Sequence, residues 1–424
     1  MILSSEKSVL SGEVAVPASK SHTIRALTLA TLARGKSVLS NPLDSADTRS
    51  CVGACRALGA EIQAEGETWT VQGAAGRLRV AENVIDVQNS GTTLYIALGM
   101  AALVDGWNVL TGDHQTRRRT AQNLMTALNM LGARVESMLN NGCAPILVHG
   151  PLQGGQASLA CPTSQYLTSL LIAAPLARLN STIVATQLNE EPYVLMTLDW
   201  LRKLGVQVSH RDLREFTIPG RQEYSAFEER IQGDFSSATF FLCAAALTGS
   251  EITLRGLDMD DAQGDKAVVD MLRKMGAEAQ ALPGAVRIRG GALKGVELDL
   301  NATPDALPAL AVTACFAEGT TKLLNVPQAR IKETDRIRVM REAIVALGGK
   351  AEELPDGLVV HGAGLRGGKA AGHSDHRVVM ACAIAGLASE KPIEVDTAEA
   401  VGITFPSFVD LMTRCGARMK ISGQ

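Results

Sequence analysis

At 424 residues, 46% of them hydrophobic and 20% charged, the chain is too long for one ordinary core and calls for two domains. A formal net charge of -3 excludes the broad cationic field that binding along a nucleic-acid backbone requires, so any anion site must be local. The start, MILSSEKSVLSGEV, lacks an apolar run of signal-peptide length, and no apolar stretch of spanning length follows, so a cytoplasmic protein without membrane contact is expected.

In chain order the elements come as a repeating set. Ser19-Lys20-Ser21 opens an apolar helix that runs into a strand at ARGKSVLSN, and a second helix ends in RALGAEI. Asn89-Ser90-Gly91-Thr92 opens the next, with a strand at DGWNVLTG and a helix ending in NMLGARV. Thr163-Ser164-Gln165 precedes LNSTIVAT and RKLGVQV; Asp234-Phe235-Ser236-Ser237 precedes TGSEITLRG and RKMGAEA. Pro304-Asp305 precedes EGTTKLLNV and VALGGKA, and Asp375-His376-Arg377 precedes SEKPIEVDT and TRCGARM.

The helix-ending glycines, Gly59, Gly132, Gly205, Gly276, Gly348 and Gly416, are separated by 73, 73, 71, 72 and 68 residues. Glycine there suits the left-handed residue that closes a helix. Such regularity marks six copies of one α/β unit, each longer than the roughly 20 to 50 residues of common solenoid repeats. Three copies per domain is the natural division, with a boundary at residues 228 to 235. The expected domains are 17–232, holding repeats one to three, and 1–16 with 233–424, holding repeats four to six.

The polar segments before the first helices are ordinary N-cap material. They also carry Lys20, Arg25, Gln165 and Arg377, which capping does not need. Helix N-termini bring free N–H groups and a positive dipole end, so several converging on one cleft would bind phosphates and carboxylates. Two further segments add cations: TGDHQTRRRT holds Arg117, Arg118 and Arg119, and ARIKETDRIR packs Arg330, Lys332, Glu333, Asp335 and Arg336 together. Eight cysteines are scattered singly, with Cys243, Cys315 and Cys382 in Ala/Leu-rich runs, as in a reducing compartment. His373 and His376 form the one close histidine pair, without HExxH or CxxC, and neither GxxxxGK[ST] nor a helix-opening GxGxxG occurs. No metal and no nucleotide cofactor are expected.

Over nearly the whole chain these motifs, PASKSHTIRA, NSGTT, TGDHQTRRR, PTSQYLTSLLIAAPLA, EPYVLMTLDWL, GDFSSATFFLCAAAL, TPDALPALAV, RIKETDRI, SDHRVVMA and TFPSFVDLM, resemble the enolpyruvyl transferase family, its shikimate branch most of all. The resemblance implies an α/β fold: a two-domain inside-out α/β barrel built from six βαβαββ repeats. It also implies transfer of the enolpyruvyl group of phosphoenolpyruvate to the 5-hydroxyl of shikimate 3-phosphate, by addition and elimination through a tetrahedral intermediate. Phosphoenolpyruvate is itself a substrate, so no cofactor is implied, and the expected state is a monomer that closes on its ligands.

Carried over motif by motif, Lys20 meets phosphoenolpyruvate, and Ser21 and Arg25 hold the carboxylate side of shikimate. Arg119 and Gln165 contact the phosphate of phosphoenolpyruvate, in a pocket lined by Asn89, Gly91 and Thr92. Arg336 and Arg377 clamp its carboxylate. Thr163 and Ser164 take the 3-phosphate, Tyr193 stacks beside the ring, and Gln328 stands where asparagine is common. Asp305 and Lys332 engage the 5-hydroxyl, and Glu333, with Lys20, exchanges the proton at C3.

Three positions depart from the family pattern. Tyr95 in NSGTTLY replaces a usual arginine, Glu190 in NEEPY replaces a serine that helps hold the 3-phosphate, and AEAVGITFP offers Glu399 where a lysine is usual. A carboxylate at 190 repels a phosphate unless a cation offsets it. A second reading therefore stays open: a related transferase or shikimate-modifying enzyme acting on an unphosphorylated or different acceptor. The sister transferase acting on UDP-N-acetylglucosamine is disfavoured, because its loop usually carries a cysteine where this chain reads GDHQTRRR.

Overall fold

A computed structural model describes residues 1–75 and 77–423. It divides into two compact units, Lys20–Ile231 and Met1–Ser19 with Gln232–Gln424. Among the described residues, six four-stranded sheets carry the strands, three in each unit.

Every sheet has the same plan. Each has a parallel pair of strands at one edge followed by two antiparallel strands; in three repeats an apolar helix joins the parallel strands, and a second helix then leads to a hairpin whose last strand pairs antiparallel to the second parallel one. In the repeat holding Gly91–Ala101, Ile85–Asp86 runs parallel to Trp107–Thr111, which pairs with Ile146–His149, and Arg134–Ser137 takes the edge. The repeats with Ser164–Ala173 and with Leu307–Ala314 follow the same order in continuous sequence.

The other three repeats borrow a strand from elsewhere in the chain. Glu228–Arg230 runs parallel to Lys36–Ser40 and completes the first sheet of the Lys20–Ile231 unit. Glu13–Ala15 runs parallel to Glu251–Arg255, and Ile2–Glu6 lies between Ile393–Val395 and Arg418–Ser422. The chain ends are thereby stitched into the same unit as residues beyond 232.

The first helices are apolar all round, a composition that is stable only when buried on every side. Every residue of Leu307–Ala314 and of His376–Ala385 is buried, as are all but the last of Phe235–Thr248, and these three helices pack on one another. In the other unit Gly91–Ala101 packs against both Lys20–Leu32 and Ser164–Ala173. Helices inside and sheets outside give each unit the inside-out arrangement expected from the sequence. The second helices, such as Ala267–Met275, bury one face only, and all six helix-closing glycines have positive φ, from 72° at Gly205 to 113° at Gly59. Among the described residues no helix is long and apolar enough to cross a membrane.

Candidate functional site

In the Lys20–Ile231 unit the starts of the central helices carry the predicted groups. Lys20 is the first residue of its helix, and its ammonium pairs with Asp47 at 3.0 Å, largely shielded from water. Ser21 follows, half-buried, its carbonyl accepting from Arg25 at 3.1 Å. Arg25 itself points inward: its guanidinium donates to Thr197 at 2.9 Å, to Thr168 at 3.2 Å and to the Tyr193 carbonyl at 3.0 Å. Burial pulls its pKa down to about 10 against the opposing influence of Tyr193 and Glu190. Arg25 thus ties three helices together, a use that the motif did not disclose.

Around the second helix start, the Asn89 amide donates to Asp113 and Gln115, both at 2.6 Å, while its Oδ1 is buried without a hydrogen-bond partner among the described residues. Ser90 caps the helix by accepting from the Thr93 N–H at 3.3 Å, and Thr92 is half-buried beside it. Arg119 lies so close over Gly91 that a Cβ there would stand 2.4 Å from its Nη1. Glycine is what admits a guanidinium at this helix start. Arg117 and Arg118 are exposed. Tyr95, where the family pattern has an arginine, donates to the Thr120 carbonyl at 3.2 Å and packs edge-on against Tyr166 with centroids 5.0 Å apart.

The third helix start holds Thr163, Ser164 and Gln165, and here a residue outside the expected site set enters. Glu190, 2% exposed, accepts through Oε2 from the Thr163 hydroxyl at 3.1 Å and from the Ser164 N–H and hydroxyl at 3.0 and 2.8 Å. Gln165 and Tyr193 are half-buried nearby in sequence, on the helices that Thr163 and Glu190 precede.

The other unit holds a compact charge cluster. Arg336, 1% exposed, donates to Asp305 at 2.8 Å, to Glu333 at 2.5 Å and to both oxygens of Asp375 at 2.9 and 3.1 Å. Asp305 uses its second oxygen to meet Arg377 at 2.9 Å, so one carboxylate bridges two guanidinium groups. Burial works against the Arg336 cation, but the three carboxylates override it and hold its pKa above the ordinary arginine value. Asp375 also caps its helix by accepting from the Arg377 N–H at 2.9 Å. Lys332 lies half-buried next to Glu333, and the Gln328 amide donates to the Asn301 carbonyl at 2.9 Å.

His376 belongs to the same cluster but was not among the expected site residues. It is 1% exposed and neither ring nitrogen has a hydrogen-bond partner among the described residues. Burial, reinforced by the two arginines, pushes its pKa down to about 3 despite the nearby carboxylates, so it is a neutral imidazole. Its place between Asp375 and Arg377 was the available signal. Among the described residues no group of three or more His, Cys, Asp or Glu forms a metal cage.

The family model described as EPSP synthase (3-phosphoshikimate 1-carboxyvinyltransferase) matches residues 5–412. The chain belongs to the EPSP synthase family. It is 53% identical over 417 residues to the 3-phosphoshikimate 1-carboxyvinyltransferase of Acetivibrio thermocellus, covering 98% of this chain and 99% of the relative. It is 49% identical to the protein of that name from Ruminiclostridium cellulolyticum, covering 99% and 100%. Among solved structures it is similar to EPSP synthase from Acinetobacter baumannii, with a TM-score of 0.83, 26% identity and 100% of both chains covered. The EPSP synthase family acts on small-molecule substrates.

Proposed function

We propose that the chain transfers the enolpyruvyl group of phosphoenolpyruvate to the 5-hydroxyl of shikimate 3-phosphate and releases inorganic phosphate. Protonation of C3 of phosphoenolpyruvate makes C2 electrophilic, the acceptor hydroxyl attacks C2 as it loses its proton, and the tetrahedral intermediate then expels phosphate from C2 as its C3 methyl group gives up a proton, which restores the double bond. The arginine pair bridged by Asp305 carries this reading. Two guanidinium groups spanned by one carboxylate form the bidentate seat that a substrate carboxylate would take.

In this scheme Arg336 and Arg377 receive the carboxylate of phosphoenolpyruvate. Asp305, released from the arginines, and Lys332 then serve the 5-hydroxyl, while Glu333 and Lys20 handle the C3 proton. Arg119 and Gln165, with Asn89, Gly91 and Thr92, take the phosphate of phosphoenolpyruvate. Thr163 and Ser164 take the 3-phosphate, Ser21, Arg25 and Tyr193 contact the shikimate ring and its carboxylate, and Gln328 lines the acceptor side. Fixed cations at these positions stabilise the charge that develops on phosphate and carboxylate without reorganising in the transition state. The protein acts as a cytoplasmic monomer, needs no cofactor and binds no nucleic acid.

Phosphate release from phosphoenolpyruvate, followed with and without shikimate 3-phosphate, tests the assignment; release that depends on the acceptor is expected. Because Glu190 sits on Thr163 and Ser164, a second reading is transfer to an unphosphorylated shikimate. The same assay decides it: turnover with shikimate and none with its 3-phosphate would replace the first reading.

A further inference from the structure

Ser90, Asp234 and Asp375 cap the central helices that follow them, each accepting from an N–H of that helix's own first turn. The Ser164–Ala173 helix is capped differently, by Glu190 from 26 positions away. The Glu190 carboxylate reaches back across the turn that joins Ser181–Leu188 to Glu191–Lys203. Its backbone is left-handed, at φ 59° and ψ 42°, a conformation uncommon for a residue with a Cβ.

The donors it takes, one N–H and two hydroxyls, form the set that a phosphate oxygen would need. A carboxylate oxygen and a phosphate oxygen cannot share them, and two anions held that close repel. Arg25, buried behind these residues and bonded to Thr168 and Thr197, has Glu190 as an anionic neighbour. A phosphate arriving as the carboxylate leaves would keep that cation balanced, so the exchange costs the protein no buried charge.

We propose that Glu190 is a specificity-determining residue: it occupies the seat of the acceptor's phosphate in the unliganded protein and is exchanged for that phosphate on binding. The inference rests on the reading of Thr163 and Ser164 as the 3-phosphate subsite. Glu190 then sets how tightly the phosphorylated acceptor binds, and weaker anions are kept out because they do not displace it.

Full-length Glu190→Ser and Glu190→Asn variants test this by phosphate release at saturating phosphoenolpyruvate. The KM for shikimate 3-phosphate should fall roughly ten- to hundredfold, the equivalent of one or two charge-assisted hydrogen bonds that no longer have to be broken. The inhibition constant of unphosphorylated shikimate should stay within about twofold of the parent, because it does not compete for that seat. A KM that stays put or rises, or a shift of the same factor for both compounds, would overturn the proposal. Asparagine tolerates the left-handed backbone and can still accept from Ser164, so a folding defect in the serine variant leaves the asparagine variant to decide. A parent protein that does not turn over shikimate 3-phosphate at all would instead defeat the acceptor assignment on which the proposal stands.

Discussion

Asp375 serves two structures at once, capping its own helix and neutralising Arg336. Burial raises its carboxyl pKa, but the Arg336 cation overrides this and leaves it below the ordinary value. A carboxylate depressed in this way contributes stability above its unfolded pKa, and that contribution is lost as pH falls through the folded one. The neutral His376 acts in the same direction, because below the ordinary histidine value of 6.5 the unfolded chain takes up a proton that the folded site refuses down to about 3. Thermal unfolding followed from pH 7 to pH 4 should therefore show stability falling on account of His376, with the loss from Asp375 added only below pH 4. His376→Gln should flatten the fall by about 1.4 kcal/mol per pH unit below 6. Asp375→Ala, which removes one of the three carboxylates on the buried Arg336 and the cap of its own helix, should cost about 2–3 kcal/mol in a denaturant titration. At Gly91, alanine would push Arg119 off the helix start. A KM for phosphoenolpyruvate raised about tenfold or more, with an unchanged circular dichroism spectrum, is the expected result.

At the scale of elements, the two helix classes were plain in the sequence because burial on all sides and burial on one side demand different compositions. Phe235–Thr248 is almost wholly apolar, whereas Ala267–Met275 alternates apolar and charged positions. Short strands with borrowed partners were far less legible. Ile2–Glu6 reads ILSSE, with only alternate positions buried, and nothing in those letters names Ile393–Val395 and Arg418–Ser422 as its neighbours. Leu3 from this strand is fully buried, yet it lies almost 400 residues from Val395, its register partner. Leu3→Ala should cost about 2–5 kcal/mol. Deleting residues 1–7, which takes out an inner strand, should abolish cooperative unfolding of that unit, as read by differential scanning calorimetry.

For the whole molecule, the topology makes the two units unequal. Lys20–Ile231 contains every strand of its three sheets in one continuous segment, including Glu228–Arg230. The other unit needs Ile2–Glu6 and Glu13–Ala15 from the opposite end of the chain. A fragment of residues 20–231 should fold alone and melt cooperatively. A fragment of residues 232–424 should not, unless a peptide of residues 1–19 is supplied; a cooperative melt of 232–424 by itself would contradict the strand pairing described here.

The repeat count, the helix classes, the cationic helix starts and the family were all readable from the letters, because each depends on local composition or on spacing along the chain. Tertiary structure alone decided what those residues touch. Lys20 and Arg336 are both cations close to helix starts, yet one meets a single carboxylate and the other three. Arg25 proved to be a buried tie between helices, and Glu190 an anion seated on a helix start. Such contacts join residues that folding brings together from distant positions, and charge energies fall off with distance in space, which the order of residues does not record.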